Sequence, residues 1–402
     1  MKILVFAHRL EIGGTQVNAI ELSAALRDLH GHEIVMFATP GPMAQFAAEK
    51  GLKLIPAPDA TIHPSLARMA ALRRAVRSER PDVVHAWDWP QGLEAYYGVA
   101  LPWRLPLVVT DMSMVLTRFM PKFIPTTFGT PELVEQARRL GRSPLELLVP
   151  PVDVAANAPG AVDGQPFRQR HGIGRNELMI VTVSRLTEWM KAESLRRTME
   201  VVGMLGKEFP MRFVVVGEGP SRQRLQELAA TINGKLGREA IILAGPLVDP
   251  RMAYAASDVV IGMGGSGLRA MAFAKPLIVV GEQGYCAPFD ASTAEDFYYR
   301  GIYGLGDGDP ENERLAATLG HLLSRPGQFS SIGEFSRRFV TERFSLETLS
   351  ARLSHFLTEA ARNSTALHVT AADSLRTTAV LLGRQLIPDK LRQLHAFRTP
   401  GR

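Results

Sequence analysis

The chain has 402 residues, which is enough for two or three domains at roughly 150 residues each. Hydrophobic residues make up 46% and charged residues 21%, as is typical of a globular protein with full cores. The longest apolar runs have the length of strands, and none approaches the roughly 20 residues that a membrane-spanning helix needs. The composition therefore predicts globular domains and argues against a helical membrane protein.

The formal net charge is +6, which suits an anionic partner such as a nucleotide, a nucleic acid or an anionic lipid surface. No nucleic-acid motif and no basic run interleaved with aromatics is present, so we expect no nucleic acid. The apolar start Met1–Ala7 runs into His8 and Arg9, which favours a first strand over a signal peptide. The single cysteine, Cys286, cannot form an internal disulfide and fits a reducing cytoplasm, our predicted location.

The first half of the chain alternates apolar strands with helices of helical spacing. Strands are predicted at Lys2–Ala7, Glu33–Ala38, Lys53–Pro56, Asp82–Ala86 and Leu107–Thr110, and helices at Gln16–Leu29, Met43–Lys50 and Leu66–Glu79. Buried parallel strands have continuous apolar runs, as these do. Alternation of strand and helix indicates a parallel sheet with right-handed crossovers.

A stretch rich in Ala, Gly and Pro, Ala155–Pro166, predicts a linker, after which the alternation begins again. Strands are predicted at Met179–Ser184, Arg212–Val216, Ala240–Ala244, Val259–Gly262 and Leu277–Val280, and helices at Ala192–Glu208, Ser221–Asn233, Met252–Ala256, Gly267–Ala274 and Glu334–Ala361. A last helix, Ala371–Leu382, has Leu375, Ala379 and Leu382 on one face. We therefore predict Rossmann-like domains at 1–157 and 167–340, a helix at 341–362 that crosses back to the first domain, and a basic tail at 363–402.

Two glycine-rich loops follow strands. Gly13-Gly14 precedes the first helix and lets backbone approach a ligand, although a plain tight turn explains it as well. Gly264, Gly265, Ser266 and Gly267 lie between a strand and a helix, where backbone amides can hold an anion. For this second loop phosphate binding is favoured over a tight turn.

Two cations follow the strand Met179–Ser184. Arg185 lies at the carboxyl edge of the sheet, where α/β folds bind ligands, and Lys191 precedes the next helix. Together they suit a diphosphate, although a solvated loop with two cations is an equal alternative. Glu218 lies in the Gly-x-Gly-Pro turn after the next strand, which is either structural or part of the site.

Polar residues also follow strands in the first half. A position facing the ligand and a structural role are equal alternatives for His85, and Asp88 and Asp111 are candidates for contact with an acceptor. Asp307-Gly308-Asp309 matches an Asp-x-Asp metal pattern, but it precedes a proline and we interpret it as a surface turn, so no metal site is predicted.

The helix Leu66–Glu79 combines cations with apolar residues. Its relevant side chains are Arg68, Arg73, Arg74, Arg77 and the following Arg80, beside Leu66, Met69, Ala70 and Leu72. A basic amphipathic helix can lie on an anionic membrane, and a solvated face of the domain is the alternative.

The ordered set of motifs resembles the family-4 retaining glycosyltransferases, which have the GT-B fold. The matching stretches, spread over residues 1 to 360, are IGGTQVNAIELSAAL, RPDVVHAWDWPQG, TVSRLTEWMKAE, VVVGEGPSRQRLQELA, ILAGPL and ASDVVIGMGGSGLRAMAFAKPLIVV. The resemblance implies two Rossmann-like domains facing a cleft, with C-terminal helices. It also implies a donor diphosphate bound by Arg185 and Lys191, a glycine loop at Gly14 near donor or acceptor, and Gly245 near the nucleotide base.

Departures from the family pattern concern its carboxylates. The second Glu of the family's Glu-x7-Glu motif is replaced by Arg269, and the glycine loop replaces the segment with the first Glu. Arginine cannot accept hydrogen bonds from ribose hydroxyls. The family's histidine after the strand Leu107–Thr110 is also absent, and Asp111 is the nearest polar group.

These observations predict a hexosyltransferase that moves a sugar from a UDP- or GDP-sugar to a glycan or lipid-linked acceptor, with retention, in polysaccharide or glycolipid synthesis. Catalytic roles are assigned to Asp111 and His85, and acceptor binding to Asp88. No cofactor is expected, and the enzyme would lie at the inner membrane face. The alternatives are a non-catalytic GT-B partner subunit, suggested by Arg269, and a nucleotide-sugar epimerase, for which no clear acid/base set is present.

Overall fold

The computed structural model describes residues 1–117, 119–363 and 367–385, with side chains undescribed at 189, 367–371, 384 and 385. The chain forms two compact units. Unit 1 contains Met1–Glu11, Leu26–Leu148 and the described part of Ala351–Arg402. Unit 2 contains Ile12–Ala25 and Val149–Ser350.

The elements of the first half alternate as the apolar periodicity predicts. They are β1 (Lys2–Phe6), α1 (Gly14–Asp28), β2 (Glu33–Ala38), α2 (Ala44–Glu49), β3 (Lys53–Pro56), α3 (Leu66–Glu79), β4 (Val83–Trp87), α4 (Asp88–Ala95), α5 (Leu101–Trp103), β5 (Leu107–Asp111), β6 (Thr126–Phe128), α6 (Pro131–Arg139) and β7 (Leu145–Leu147). A π-helical turn, Tyr96–Ala100, joins α4 to α5.

The first sheet has seven parallel strands in the order β3-β2-β1-β4-β5-β6-β7. Its central strands are buried along their length because helices cover both faces, which explains their unbroken apolar runs. Strand order reverses between β1 and β4, so these two neighbours lead to helices on opposite sides. In open α/β sheets, this switch point is where ligands bind.

The second half follows the same plan. Its elements are α7 (Gln165–Arg170), β8 (Leu178–Val183), α8 (Glu193–Leu205), β9 (Met211–Val216), α9 (Arg222–Leu236), β10 (Ile241–Gly245), α10 (Arg251–Ala256), β11 (Val259–Gly262), α11 (Gly265–Ala272), β12 (Leu277–Val280), β13 (Cys286–Pro288), α12 (Ala294–Arg300), α13 (Glu313–Leu323), α14 (Phe329–Phe344), α15 (Leu346–Arg362) and α16 (Leu367–Gln385). A π-helical turn, Glu188–Ala192, precedes α8.

The second sheet has six strands in the order β10-β9-β8-β11-β12-β13, with only the edge strand β13 antiparallel. Alternate residues of β8 pack on opposite faces, since Ile180 joins one apolar cluster while Met179 and Val181 join another. The switch point here lies between β8 and β11. The two parallel-dominated sheets with their helices confirm the predicted α/β class with two Rossmann-like halves.

Three strands and one boundary differ from the sequence-based expectation. Each of the strands β6, β7 and β13 has only three residues, too few to show a period of two. The expected linker Ala155–Pro166 lies within unit 2, where Asp153 caps a turn by accepting from Ala156 N at 2.8 Å. The units instead divide between Leu148 and Val149.

Helix α16 presents its apolar side outward. Leu375 is 75% exposed and Leu382 55% exposed. The buried side is polar: Ser374 Oγ lies 2.5 Å from Tyr96 Oη, and Thr378 Oγ1 lies 2.9 Å from Tyr97 Oη. The three apolar residues share the exposed face of the helix because tyrosine hydroxyls of unit 1 hydrogen-bond the opposite side. The basic tail beyond residue 385 lies outside the described residues.

Helix α3 matches its predicted bounds, and Ser65 caps it by accepting from Arg68 N at 3.4 Å. Arg68 is only 3% exposed, and its Nε lies 3.2 Å from Glu94 Oε2. Met69 and Leu72 are also buried, whereas Leu66 is 80% exposed. The expectation that Arg68 belongs to a basic surface face was wrong because the helix turns this residue toward the core.

Candidate functional site

The switch point of the second sheet brings the predicted phosphate-binding residues to neighbouring strand ends. Arg185 follows β8, and the loop Gly264–Gly267 follows β11, which pairs directly with β8. Because parallel strands end at the same sheet edge, these segments share one edge. The structure thus places the two strongest sequence signals at the position where α/β sheets bind ligands.

Of the two cations, Lys191 has the more restricted backbone position and the more buried side chain. It lies in the π-helical turn directly after Met190, whose φ of 64° is in the left-handed region that non-glycine residues rarely adopt. Burial lowers the pKa of Lys191 to about 8, the nearby Arg185 adds to this effect, and Glu282 opposes it. The Arg185 side chain is exposed. One half-buried and one exposed cation therefore lie close enough to repel each other, which an anion between them would relieve.

The glycine loop forms the N-terminus of α11. Gly264 has φ 57° and ψ −137°, a backbone conformation that essentially only glycine adopts. The first intrahelical bond runs from Leu268 N to Gly264 O, so the amides of the preceding first turn have no intrahelical acceptor. Ser266 Oγ donates to Met263 O at 2.9 Å, which fixes the serine on this turn. The loop therefore presents a set of amide donors suited to an anion.

Arg269, which stands where the family has a carboxylate, lies over the same turn. Its Nη1 donates to Gly265 O at 3.4 Å, and its Nη2 lies 3.6 Å from Glu21 Oε2. Both side chains are largely buried, at 14% and 12% exposed. Arg269 thus adds a positive charge beside the anion-binding turn and offers no acceptor for ligand hydroxyls.

The turns after β9 and β10 are tightly interlocked with the loop after β8. A Cβ atom on Gly217 would lie 1.8 Å from Ser184 O, and one on Gly219 would lie 2.5 Å from Leu186 O. Gly217 N donates to Gly245 O at 2.9 Å. The carboxylate of Glu218, a predicted donor-binding residue, accepts from Arg222 Nη1 at 2.8 Å. Close backbone packing is therefore sufficient to explain why glycine is needed at Gly217 and Gly219.

One carboxylate at this edge was not singled out from the sequence. Glu282 follows β12 and accepts a hydrogen bond from Tyr303 Oη through its Oε2 atom. Its charge raises the pKa of Lys191. The signal in the sequence was its place two residues after an apolar strand, the same kind of position that Arg185 occupies after β8.

Gly14, the other predicted glycine, is the first residue of α1, and a Cβ atom there would meet nothing within 4 Å. It belongs to the segment Ile12–Ala25, which is grouped with unit 2 and carries Glu21. The segment is thereby linked to α11 through Arg269.

Of the polar residues predicted at the first sheet, His85 lies inside the fold. His85 is 1% exposed, and its Nε2 lies 2.7 Å from Thr110 Oγ1, which accepts from Thr127 Oγ1 at 2.9 Å. Burial lowers the pKa of His85 to about 3, so the ring is neutral at physiological pH. These contacts agree with the structural alternative for His85 and do not present it to a ligand.

Asp111 ends β5 and is 2% exposed. Its Oδ1 accepts from Ser113 N at 3.0 Å and from Ser113 Oγ. Burial and the negative charge of Asp88 raise the pKa of Asp111 to about 6, against the opposing effect of Ser113 and of the buried Arg142. A carboxylate with this pKa can hold or release a proton near neutral pH.

Asp88 lies one residue beyond β4 with φ 58°, in the left-handed region. Its Oδ1 accepts from Met112 N at 2.7 Å, and its Oδ2 lies 2.8 Å from His8 Nε2. The register pairs Phe6 with Ala86, so continuing it by two residues sets His8 beside Asp88. His8 was not predicted as a site residue. Its signal was a position two residues after β1.

The Asp-x-Asp sequence has a structural role. Asp309 accepts from Glu313 N at 3.0 Å and from Arg314 N at 3.1 Å, which caps α13, while Asp307 pairs with Arg314. Across residues 1–117, 119–363 and 367–385, no group of three or more His, Cys, Asp or Glu side chains is arranged to hold a metal ion.

Comparison with known proteins assigns each half of the chain. Residues 12–128 match the family described as Glycosyltransferase Family 4, and residues 177–291 match the family described as Glycosyl transferases group 1. The chain is a family-4-like glycosyltransferase. No curated protein matches this glycosyltransferase in sequence.

Solved structures share the GT-B fold of this glycosyltransferase at low identity. A glycosyltransferase from Rickettsia africae ESF-5 has a TM-score of 0.72 at 17% identity, covering 90% of this chain and 99% of that one. Anabaena Alr3699/HepE in complex with UDP-glucose has a TM-score of 0.69 at 16% identity, covering 89% and 100%. WaaG, a glycosyltransferase involved in lipopolysaccharide biosynthesis, has a TM-score of 0.60 at 14% identity, covering 89% and 100%.

Among the helices that the structure describes, none combines the length and apolar character needed to cross a bilayer.

Proposed function

We propose that this glycosyltransferase binds the diphosphate of a nucleotide sugar with Arg185, Lys191 and the loop Gly264–Gly267. The observation that carries the proposal is the placement of two cations and a glycine-rich helix N-terminus on neighbouring strand ends at the switch point of the second sheet. Diphosphates are held by this combination, because amides and cations neutralise several oxygens at once.

The same groups would promote the reaction. When the bond between the sugar and the diphosphate breaks, negative charge grows on the leaving phosphate. Donors already fixed in position stabilise this charge without rearranging, which is commonly the largest contribution to enzymatic rate enhancement. Lys191, partly desolvated, interacts with the developing charge more strongly than a fully hydrated ammonium would.

A uridine donor is the first to test. Anabaena Alr3699/HepE was solved with UDP and with UDP-glucose, and its fold matches this chain. We propose a UDP-sugar as donor, with a GDP-sugar as the alternative, and a hexose as the transferred group.

The test is calorimetric titration of wild type and Arg185→Ala with UDP, GDP and their hexose conjugates. The wild type is expected to bind one nucleotide, and Arg185→Ala to bind it roughly 10- to 100-fold more weakly, as expected for loss of a charge-assisted hydrogen bond. Absence of binding by the wild type at millimolar nucleotide would refute the donor assignment.

On the acceptor side, we propose that unit 1 binds a hydroxyl of a glycan or lipid-linked acceptor near Asp88 and Asp111. The family resemblance further implies retention at the anomeric carbon and a role in polysaccharide or glycolipid synthesis. Incubation with UDP-glucose and a bacterial lipid extract, followed by NMR of the product's anomeric proton, tests transfer and configuration together.

A non-catalytic partner subunit is the second candidate, and Arg269 is the observation that favours it. Arg269 is tied to Gly265 and Glu21, so it cannot serve as a carboxylate substitute. This candidate predicts nucleotide binding without turnover. Release of UDP from any UDP-hexose, in the presence or absence of acceptor, would exclude it.

We also propose contact with an anionic membrane at the cytoplasmic face through the exposed side of α3. That side presents Arg74 and Arg77 together with Leu66 and, just before the helix, Ile62, which is 74% exposed. Cations attract anionic headgroups and exposed aliphatic side chains enter the interface. Arg68, being buried, has no part in this surface.

A further inference from the structure

A carboxylate of unit 2, that of Glu282, lies beside the proposed diphosphate site, and one short segment, residues 302–306, connects the two. Gly264, at the start of the anion-binding loop, donates from its N to Ile302 O at 2.6 Å. One residue later, Tyr303 Oη donates to Glu282 Oε2. The glycine loop after β11 and the carboxylate after its neighbour β12 are therefore fastened to consecutive residues of the same segment.

The backbone of Glu282 is fixed by this segment on both sides. Its N donates to Gly304 O at 3.1 Å, and its O accepts from Gly306 N at 2.9 Å. The preceding Gly281 lies so close to the segment that a Cβ atom there would be 1.8 Å from Gly304 O. Such packing holds the side chain of Glu282 at a defined starting point, which a group that recognises a ligand requires.

The two carboxylate oxygens of Glu282 have different surroundings. Oε2 accepts from Tyr303, and burial together with this hydrogen bond raises the pKa of the tyrosine hydroxyl, which therefore stays protonated and remains a donor. Oε1 has no hydrogen-bond donor among the residues that the structure describes, and the side chain is partly exposed. Because a carboxylate oxygen can only accept hydrogen bonds, Oε1 is available to a ligand that donates one.

Glu282 places negative charge at a sheet edge that otherwise suits anions. It raises the pKa of Lys191 against the larger effect of burial, so it also lies within electrostatic range of a diphosphate held by that lysine and repels it. Other carboxylates that follow β8 and β9 pair with arginines: Glu188 with Arg224, Glu193 with Arg197 and Glu218 with Arg222. A carboxylate accepts stronger hydrogen bonds from hydroxyls than a neutral group does, and hydroxyls are the polar groups of a sugar attached to a diphosphate.

We propose that Glu282 binds the hexose of the donor by accepting a hydrogen bond from one of its hydroxyls at Oε1, and that Tyr303 positions the carboxylate. This inference rests on the proposed transferase function, in which Lys191 stabilises the leaving phosphate. That phosphate carries the hexose, so the neighbour of Lys191 lies on the hexose side of the diphosphate. A hexose without a hydroxyl at this position leaves Oε1 without its donor, and Glu282 thereby determines which hexose is accepted.

The test is calorimetric titration of wild type, Glu282→Ala and Glu282→Gln near pH 6, where Lys191 is protonated. The ligands are UDP, UDP-glucose, UDP-galactose and UDP-N-acetylglucosamine. We expect the wild type to bind at least one conjugate more tightly than UDP, and Glu282→Ala to bind that conjugate roughly 10- to 100-fold more weakly, as for loss of a hydrogen bond to a charged group. UDP should bind Glu282→Ala at least as tightly as wild type, which also shows that the variant is folded. Glu282→Gln, whose amide oxygen accepts a weaker hydrogen bond, should fall between.

Deoxy donors identify the hydroxyl that Glu282 contacts. For the preferred hexose, conjugates that each lack one hydroxyl are titrated into wild type and Glu282→Ala. We expect one of them to bind the wild type about as weakly as the intact conjugate binds Glu282→Ala, and to lose little further affinity in that variant, because removals of two groups in contact are not additive. Affinity losses that multiply for every deoxy conjugate would overturn the proposal.

Two further variants separate the hydrogen bond from charge and positioning. Asp307→Ala removes an exposed carboxylate that pairs with Arg314 shortly after the same segment, and it should leave the affinities for UDP and for the conjugates unchanged. Tyr303→Phe leaves the charge of Glu282 in place but frees Oε2, so it should weaken binding of the conjugate less than Glu282→Ala, with the loss confined to the same hydroxyl. A loss in Tyr303→Phe that is independent of that hydroxyl would reject its positioning role.

The two proposals fail in different ways. A wild type that binds no nucleotide refutes the donor assignment and this inference with it. If the wild type binds UDP and Glu282→Ala weakens UDP and every conjugate by the same factor, the donor assignment stands and the hexose contact is refuted, because the ribose and the phosphates are common to all these ligands. Equal affinity of the wild type for UDP and all three conjugates would refute the hexose contact as well.

Discussion

The buried carboxylate of Asp111 is expected to destabilise the folded protein at neutral pH, and its amide analogue should relieve this. The pKa of Asp111 in the fold is about 6, against an ordinary 3.8, mainly because burial disfavours the charged form. A carboxyl group with a raised folded pKa lowers stability as pH rises from its unfolded to its folded value. The difference corresponds to roughly 3 kcal/mol above pH 6.

Asp111→Asn keeps an oxygen that can accept from Ser113 N, so the site should remain folded. We expect the variant to unfold like the wild type near pH 4 and to be more stable by up to about 3 kcal/mol at pH 8. Three of the four tryptophans, Trp87, Trp89 and Trp103, belong to unit 1, so intrinsic fluorescence during urea unfolding mainly reports the unit that contains Asp111.

The matched control is Asp28→Asn, also in unit 1, where the hydrogen bond to Arg27 lowers the pKa of the carboxyl group. Replacing this carboxylate should slightly lower the free energy of unfolding at pH 8, whereas Asp111→Asn should raise it. A stability difference between Asp111→Asn and wild type that is the same at pH 4 and pH 8 would refute the burial argument. If Asp111 also takes part in transfer, the stabilised variant will lose activity, as substitutions at functional sites often do.

Three further predictions concern the charges of Lys191, of Glu282 and of the exposed arginines on α3. Because the pKa of Lys191 is about 8, UDP affinity should fall as pH rises through 8 in the wild type and stay flat in Lys191→Arg, measured by calorimetry. Glu282→Gln removes a charge that raises this pKa, so the fall should begin at lower pH. Arg74→Glu with Arg77→Glu should abolish flotation with anionic liposomes, since each cation near the surface contributes on the order of 1 kcal/mol.

Matched variants serve as controls for the Glu282 and α3 predictions. Tyr303→Phe removes the hydrogen bond to Glu282 but keeps its charge, so it should move the pH dependence less than Glu282→Gln. A flat profile in the wild type would contradict the role of Lys191. For the membrane, the control is the same charge reversal on α6, at Arg138 and Arg139, which are exposed in the same unit. Equal flotation of both double variants would reject a specific role for α3.

How much of the structure the sequence predicts depends on whether the interactions that form each element are local or lie far apart along the chain. Strands such as β1 and β8 and the helix α3 were located because periodicity of apolar residues is a local property. The strands β6, β7 and β13 were not, because three residues carry no period and their pairing partners are distant in sequence.

Side-chain orientation on amphipathic helices was harder to predict. On α16 the apolar stripe with Leu375 faces outward because Ser374 and Thr378 find tyrosine hydroxyls more than 270 positions earlier in the chain, at separations of 278 and 281. On α3 the arginine at position 68 is buried because Glu94 is present to balance its charge. In both cases a hydrogen-bonding or charged partner from another element decided which face is covered.

The sequence by itself determined the two α/β halves, the strand ends and the residue types at those ends, including Arg185, Lys191 and the glycine loop. These follow from local periodicity and from backbone preferences of glycine. Only the tertiary structure decided which strand ends are neighbours. Strand order places β1 beside β4, which sets His8 against Asp88, 80 positions apart, and buries His85 inside the same sheet. No local pattern encodes that adjacency, because it depends on the packing of the whole sheet.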